Sequence, residues 1–419
     1  MRRWYDEYWK DISTLVYWAY LVLAYFDLVD AWVPKILIID GVLAALSAVY
    51  LLVWYKMNGK PSAIDFPSRC FLIFILSMAF SALLGGTNLN RLAVLAFQIM
   101  QILTIAVALY SIRDALGVNM FLSALFAVVF LAFGAGLSIR DFDFERSWYR
   151  LEFLGTGTNS AGANFGIATI ICLMLLRKKN GPYLNMLLLC LVPFFFYAQG
   201  LTKSRTAQLA TALGFAVWGA VVLLRFNKSK LRTLLLFVMI ILFSLLFLFA
   251  FLSSDRVKGR SFESWDELTG NRISIWKDSL RPMGMQEFFF GYGGNTERLM
   301  AEAEASGARS GSLSFMSWHF LHNLYLQIFV DYGIIALLSF LSGSLCLCLK
   351  AMRMLSSGKI SATDRKLLVA SLSLQAFLAA QNMMESLSLF IGGSEQMVMV
   401  TTLALMYVIT KKPDAAISQ

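Results

Sequence analysis

Apolar runs of about twenty residues recur from end to end of this 419-residue chain, the stretch 233–253 among them. As a helix, each is long enough to cross about 30 Å of hydrocarbon. Spanning strands would alternate apolar with polar residues, and these runs do not, so helices are the spanning element. The fold class this dictates is all-α, a polytopic membrane protein. An apolar content of 58% and a mean hydropathy of +0.66 agree with it.

Twelve transmembrane segments are expected, at 12–29, 35–55, 70–86, 92–110, 118–137, 160–176, 183–199, 206–224, 233–253, 333–349, 367–385 and 396–410. Placing the N-terminus in the cytoplasm puts 21 of the 36 Lys and Arg residues in inner segments and seven in short outer loops. That asymmetry predicts cytoplasmic termini on both sides of a single membrane domain, 1–419. The net charge of +10 then reflects topology and anionic lipid, with no nucleic-acid partner implied. No cleavable signal peptide is expected, because the charged stretch Trp4 to Lys10 reads as an interfacial anchor and no small-residue cleavage site follows. All five cysteines fall in expected spans, and no metal-ligand spacing is visible.

One long polar segment interrupts the pattern. The extracytoplasmic loop 254–332 is expected to carry short interfacial helices, and it holds both histidines of the chain, His319 and His322. Asn271 reads as the cap of a helix from Arg272 to Arg281, stopped by Pro282, with Ile273, Trp276 and Leu280 facing the membrane domain. Gly291 to Asn295 reads as a flexible turn without the Lys-Ser/Thr of a phosphate-binding loop. Glu297 to Ala305 reads as a second helix, and Ser306 to Ser314 as a mobile flap. A third helix is expected from His319 to Asp331, with His319, Asn323, Gln327 and Asp331 in one polar stripe and His322 beside it. Gly333 permits a bend after it.

Arginines mark three outward segments. Arg150 ends a charged stretch that leads to Gly157 and Asn159. Arg205, with Ser204 and Thr202 beside it, opens the eighth expected span and breaks the inside-positive pattern. Arg272 lies in the long loop. A guanidinium grips phosphate oxygens in bidentate fashion, and helix-start amides add positive potential. Arg205 could equally snorkel to lipid headgroups. Carboxylates within spans are few; Asp27, Asp40 and Glu385 are the clearest. Glu385, following Gln381 and Asn382, is a candidate for an outward-facing cavity.

Together these segments resemble the O-antigen ligase and polymerase superfamily of bacterial membrane glycosyltransferases. The resemblance lies in Thr202-Lys203-Ser204-Arg205, in Arg272 with Trp276 and Phe290-Gly291-Tyr292-Gly293, and in His322-Asn323-Leu324-Tyr325-Leu326 followed by Asp331-Tyr332-Gly333. Arg150 to Asn159 resembles an earlier segment of the family. Thr206 stands where a glycine is usual, and Asp331 where a glutamate is common. The resemblance implies transfer of a glycan from an undecaprenyl-diphosphate carrier to an acceptor hydroxyl, at the outer face of the bacterial cytoplasmic membrane. It implies His322 as the base, and Arg205, Arg272 and Arg150 as ligands of the diphosphate. Ser204, Asn323 and His319 are supporting residues. Preorganised arginines would stabilise the leaving diphosphate without a metal or other cofactor, and the anomeric centre would invert. The partners implied are the lipid-linked donor, a glycan or lipid-glycan acceptor, and membrane lipid. A surface-polysaccharide polymerase is the favoured role, with an O-antigen ligase and a transporter or flippase for lipid-linked glycan as alternatives.

Overall fold

The computed structural model describes residues 2–26, 37–58, 65–86, 89–143, 150–153, 157–176, 180–226, 272–317, 321–357, 360–385 and 393–411. The described residues form helices and no strand. In chain order these are α1 Arg2–Phe26, α2 Leu37–Asn58, α3 Phe66–Leu84, α4 Leu89–Ser111, α5 Leu116–Arg140, α6 Thr158–Leu175, α7 Pro182–Thr202 and α8 Arg205–Phe226. The polar segment after α8 contributes α9 Arg272–Leu280, α10 Met285–Phe290, α11 Thr296–Ala305 and α12 Ser310–Ser317, before α13 Leu324–Ser357, α14 Ala362–Asn382 and α15 Gly393–Thr410. Eleven of the twelve expected spans fall on a helix, and the stretch 233–253 lies outside the described residues. Five of the described helices, α3, α5, α6, α7 and α13, are long and apolar enough to cross a membrane.

Local chemistry sets the helix ends. Asp65 caps α3, accepting from the Ser68 amide at 3.3 Å and its hydroxyl at 2.6 Å, with Pro67 in the first turn where no amide proton is needed. Ser361 caps α14 through the Asp364 amide at 3.0 Å. Lys203 ends α7 in a left-handed conformation, φ 53°, which lets the chain reverse directly into α8. Trp9, expected at the interface, is instead buried, stacked on Tyr50 at 4.7 Å and donating to Ser111 at 3.1 Å.

Packing separates a lipid-suited rim from an interior helix. Leu15, Leu52, Leu76, Val129, Phe133 and Leu338 are exposed apolar residues on α1, α2, α3, α5 and α13, where hydrocarbon is the fitting solvent. By contrast, 72% of the apolar window of α6 is buried. It lies against α7, α8, α5 and α14, while α14 packs between α8 and α15, and α3 runs along α13.

This polar segment has a small core of its own, built from Ile275, Tyr292, Leu299, Ala303, Leu321 and Val330. It is fastened at the kink of α13. There Gly333 adopts φ 81°, and a Cβ on it would lie 2.1 Å from the Phe289 carbonyl oxygen. Only glycine fits that conformation and that approach. Tyr292 and Gly293 donate their amides to the Val330 and Asp331 carbonyls at 2.8 and 2.7 Å. The Ser81 hydroxyl of α3 donates to the Asp331 carbonyl at 2.9 Å. The glycine-rich stretch expected to be a flexible turn is therefore a fixed junction among α3, α10 and α13.

Three further expectations for this segment change. Residues 310–317 are helical rather than part of a flap, because the Ser312 hydroxyl donates to Asp278 at 2.6 Å and draws the segment onto α9. The face that α9 buries is Ser274, Ile275, Asp278 and Ser279, leaving Leu280 exposed. Polar pairing with α12 outweighs the apolar stripe there. Finally, α13 begins at Leu324, not His319, since the Asn323 carboxamide accepts the Leu326 amide at 2.9 Å and caps the helix. Asn271 and His319 lie outside the described residues.

Candidate active site

The site gathers at one end of the bundle, where α6 and α8 begin, α7 and α14 end, and the polar segment returns into α13. Its centre is Glu385, just past the last turn of α14, with its amide donating to the Gln381 carbonyl at 3.0 Å. The Glu385 side chain is 4% exposed. Burying a carboxylate is costly unless charge and hydrogen bonds compensate it, and here three side chains do. Arg272 Nη2 lies 2.5 Å from Oε1. The Asn159 amide donates to the same oxygen at 2.7 Å. His322 Nδ1 lies 2.9 Å from Oε2.

The His322 backbone is left-handed, φ 51°, an unusual state for a residue with a side chain. Its neighbours hold it there. Trp276 Nε1 of α9 donates to the Leu321 carbonyl at 2.8 Å, and the Leu321 amide donates to Gln327 of α13 at 3.1 Å. On the other side, the Asn323 amide group donates to the Met383 carbonyl at the end of α14 at 2.9 Å. Gln327 is in turn fixed by donating to Asp331 at 2.7 Å. Because the Glu385 carboxylate accepts, its contact with Nδ1 favours the His322 tautomer that carries its proton on Nδ1.

Two arginines flank this core differently. Arg150 donates from Nε to the Thr202 carbonyl at 2.9 Å and from Nη2 to Asn159 Oδ1 at 3.2 Å. The neighbouring Leu151 amide donates to the Leu201 carbonyl at 3.0 Å. Arg150 thereby ties the end of α7 to the start of α6, and through Asn159 to Glu385. Arg205 opens α8, half-buried, on a turn that sits directly against α6. A Cβ added to Gly162 would come within 2.9 Å of both Ser204 Cβ and Thr202 Oγ1. The buried Ser204 hydroxyl has no hydrogen-bond partner among the described residues.

The structure thus brings Arg150, Arg272, His322 and Asn323 into one network and sets Arg205 and Ser204 on the adjoining turn. Glu385, for which the sequence suggested a cavity-facing position and no role, is the hub that joins them. Asn159, seen only as the end of a motif, is the link to Arg150.

Part of this site belongs to a recognised family segment. Residues 186–341 match the family model described as O-antigen ligase. That match supports the resemblance to the O-antigen ligase and polymerase superfamily. The matched segment carries Arg205, Arg272 and His322, whereas Arg150, Asn159 and Glu385 lie outside it. The network is completed by helices on either side of the family segment. No curated protein matches the chain.

Proposed function

We propose that this protein is a membrane glycosyltransferase that moves a glycan from an undecaprenyl-diphosphate carrier to an acceptor hydroxyl. The observation that carries the reading is the convergence of His322 and Arg272 on one buried carboxylate, Glu385. In this reading the acceptor hydroxyl gives its proton to His322 Nε2, and its oxygen attacks the anomeric carbon. The bond from that carbon to the carrier's phosphate oxygen breaks, and its electron pair leaves with the diphosphate. Arg205 and Arg272 stabilise the charge that builds there, and attack opposite the leaving group inverts the anomeric centre. Glu385 stabilises the imidazolium and keeps Nδ1 protonated, as a carboxylate does in hydrolase triads. Arg150 serves chiefly to fix Asn159 and the α7–α8 turn, since the donors described above go to protein.

As to the acceptor, the polymerase reading gives the growing chain to the next lipid-linked repeat unit. The ligase reading gives it to lipid A-core or another surface acceptor, and the description of the family model as O-antigen ligase favours it as the second reading. Purified protein in liposomes, given lipid-linked donor with each acceptor separately, tests both. Lengthened lipid-linked glycan supports polymerase, and glycosylated lipid A-core supports ligase. Absence of any product with intact protein overturns the transferase reading and leaves a transporter or flippase.

We further propose a single membrane domain of about twelve spans with both termini cytoplasmic, so that the site faces outward. Cysteines at Ser261 and Ser310 should label from outside, and those at Ser229 and Ser357 should not. Outer labelling at Ser357 would invert this topology.

A further inference from the structure

A second carboxylate lies buried close to the site and plays no part in the mechanism above. Glu395, in the first turn of α15, is 3% exposed, and its partners among the described residues are neutral. The Ser160 hydroxyl of α6 donates to Oε1 at 2.7 Å, and Asn164 Nδ2, one turn further along α6, donates to the same oxygen at 3.1 Å. Ser394 Oγ lies 3.2 Å from Oε2 and 2.6 Å from Asn164 Oδ1.

Proton accounting around this cluster favours one assignment. Asn164 Nδ2 is also 3.0 Å from the Ser160 carbonyl, which only accepts, so the orientation of the carboxamide is fixed. Asn164 Oδ1 therefore faces Ser394 and can only accept. The single Ser394 hydroxyl proton goes to Oδ1, over the shorter of its two contacts. A hydrogen bond across the remaining Ser394–Glu395 contact then needs its proton on Glu395 Oε2. Otherwise a buried carboxylate oxygen would face a hydroxyl oxygen with no proton to offer, with the Glu395 amide as the further donor to the carboxylate and no cation paired with it among the described residues.

We propose that Glu395 is held as a neutral carboxylic acid and that in this form it positions the start of α6. The consequence for the site runs through adjacent residues. Ser160, which Glu395 fixes, follows Asn159, whose amide is bonded to Glu385. Two carboxyl groups thus fasten successive residues of one helical turn, Glu395 from within the bundle and Glu385 at its end. The positioning role rests on the transferase reading, whereas the protonation of Glu395 does not.

Two measurements test this. The first is infrared difference spectroscopy of the full-length protein in lipid, comparing parent with Glu395→Gln. The carbonyl stretch of a protonated carboxylic acid should disappear in the variant; a loss confined to the ionised-carboxylate band overturns the proposal, whatever the protein's activity. The second is rescue of transfer. Glu395→Ala should lower transfer about fivefold, the loss expected when Asn159 no longer meets Glu385. Glu395→Gln should stay within about twofold of the parent, because its carbonyl can accept from Ser160 and Asn164 and its amide can donate to Ser394. If Glu395→Gln is folded and as impaired as Glu395→Ala, or if Glu395→Ala is as active as the parent, the positioning role is overturned. Should Glu395→Ala fail to insert, the infrared comparison and the activity of Glu395→Gln still decide.

Discussion

Glu385 and Glu395 are ten positions apart in the sequence, flank the same break between α14 and α15, and are both buried. Their surroundings are opposite. Glu385 meets an arginine, a histidine and an amide contributed by three distant parts of the chain. Glu395 meets two hydroxyls and an amide, with no cation among its partners in the described residues. A carboxyl group can be buried either by matching its charge or by giving it up, and the two choices suit different work. The charged one can orient an imidazole and hold a guanidinium. The neutral one can fasten helices. Environments that separate two neighbouring carboxyl groups in this way are how acid and base roles become assigned.

The comparison breaks most easily at its charged member. Removing that charge while keeping the shape, as Glu385→Gln, should cost about a hundredfold or more in transfer, as should His322→Ala, which removes general-base assistance altogether. Measured with lipid-linked donor, an active Glu385→Gln would make the two carboxyl groups equivalent. The next largest effect is expected at Arg205. Arg205→Lys keeps the charge but loses the bidentate fork, and a loss of about tenfold would match one weakened charge-assisted contact. A parental rate would make Arg205 only a headgroup anchor.

Smaller effects sharpen the contrast. Asn159→Ala removes the link between Arg150 and Glu385 but leaves both ion pairs, so transfer should fall only a few-fold, about 1 kcal/mol for one hydrogen bond. His319→Ala should leave a largely active enzyme; if it is the inactive histidine variant, the base assignment is reversed.

The smallest effect on transfer is expected at Asp65, an ion-paired carboxylate at the opposite end of the bundle. It lies 2.9 Å from Lys350 and 3.4 Å from Lys411. Burial alone would raise its pKa, but the hydrogen bonds from Ser68 and Lys350 and the Lys350 charge outweigh it and hold it at about 2, against an ordinary 3.8. A carboxyl group depressed on folding contributes stability above its unfolded value. That contribution fades as pH falls from about 4 through 2. Asp65→Asn should flatten this acid limb in a thermal-melt series, by at most about 1 kcal/mol after solvent screening, and leave transfer at neutral pH unchanged.

Much of this organisation is legible in the chain, at the level where local signals carry it. Apolar run length places eleven helices, and the segments holding Arg150, Arg205, Arg272 and His322 do meet at one end of the bundle. What is not legible depends on partners far away in sequence. Glu385 is separated by 113 residues from Arg272 and by 63 from His322, so no window of sequence joins them. His322 reads as helical by periodicity, yet Asn323 takes the cap and leaves His322 in a left-handed turn that only its flanking hydrogen bonds make tenable. The Gly- and Ser-rich stretch after Ala305 looks like a flap until Ser312 finds Asp278. Gly291 and Gly293 look flexible but are the residues that let backbone approach backbone at α3 and α13.

The central claim is that Glu385 acts through His322 and Arg272 as one unit. The most direct test is a double-mutant cycle in single-turnover transfer from radiolabelled lipid-linked donor, using Glu385→Gln, His322→Ala and the double variant. Groups that act as a unit give strongly non-additive losses. The double variant is predicted to be close to His322→Ala, far short of the product of the two single losses. A double variant that loses the full product would mean that Glu385 and His322 contribute independently, and would contradict the account.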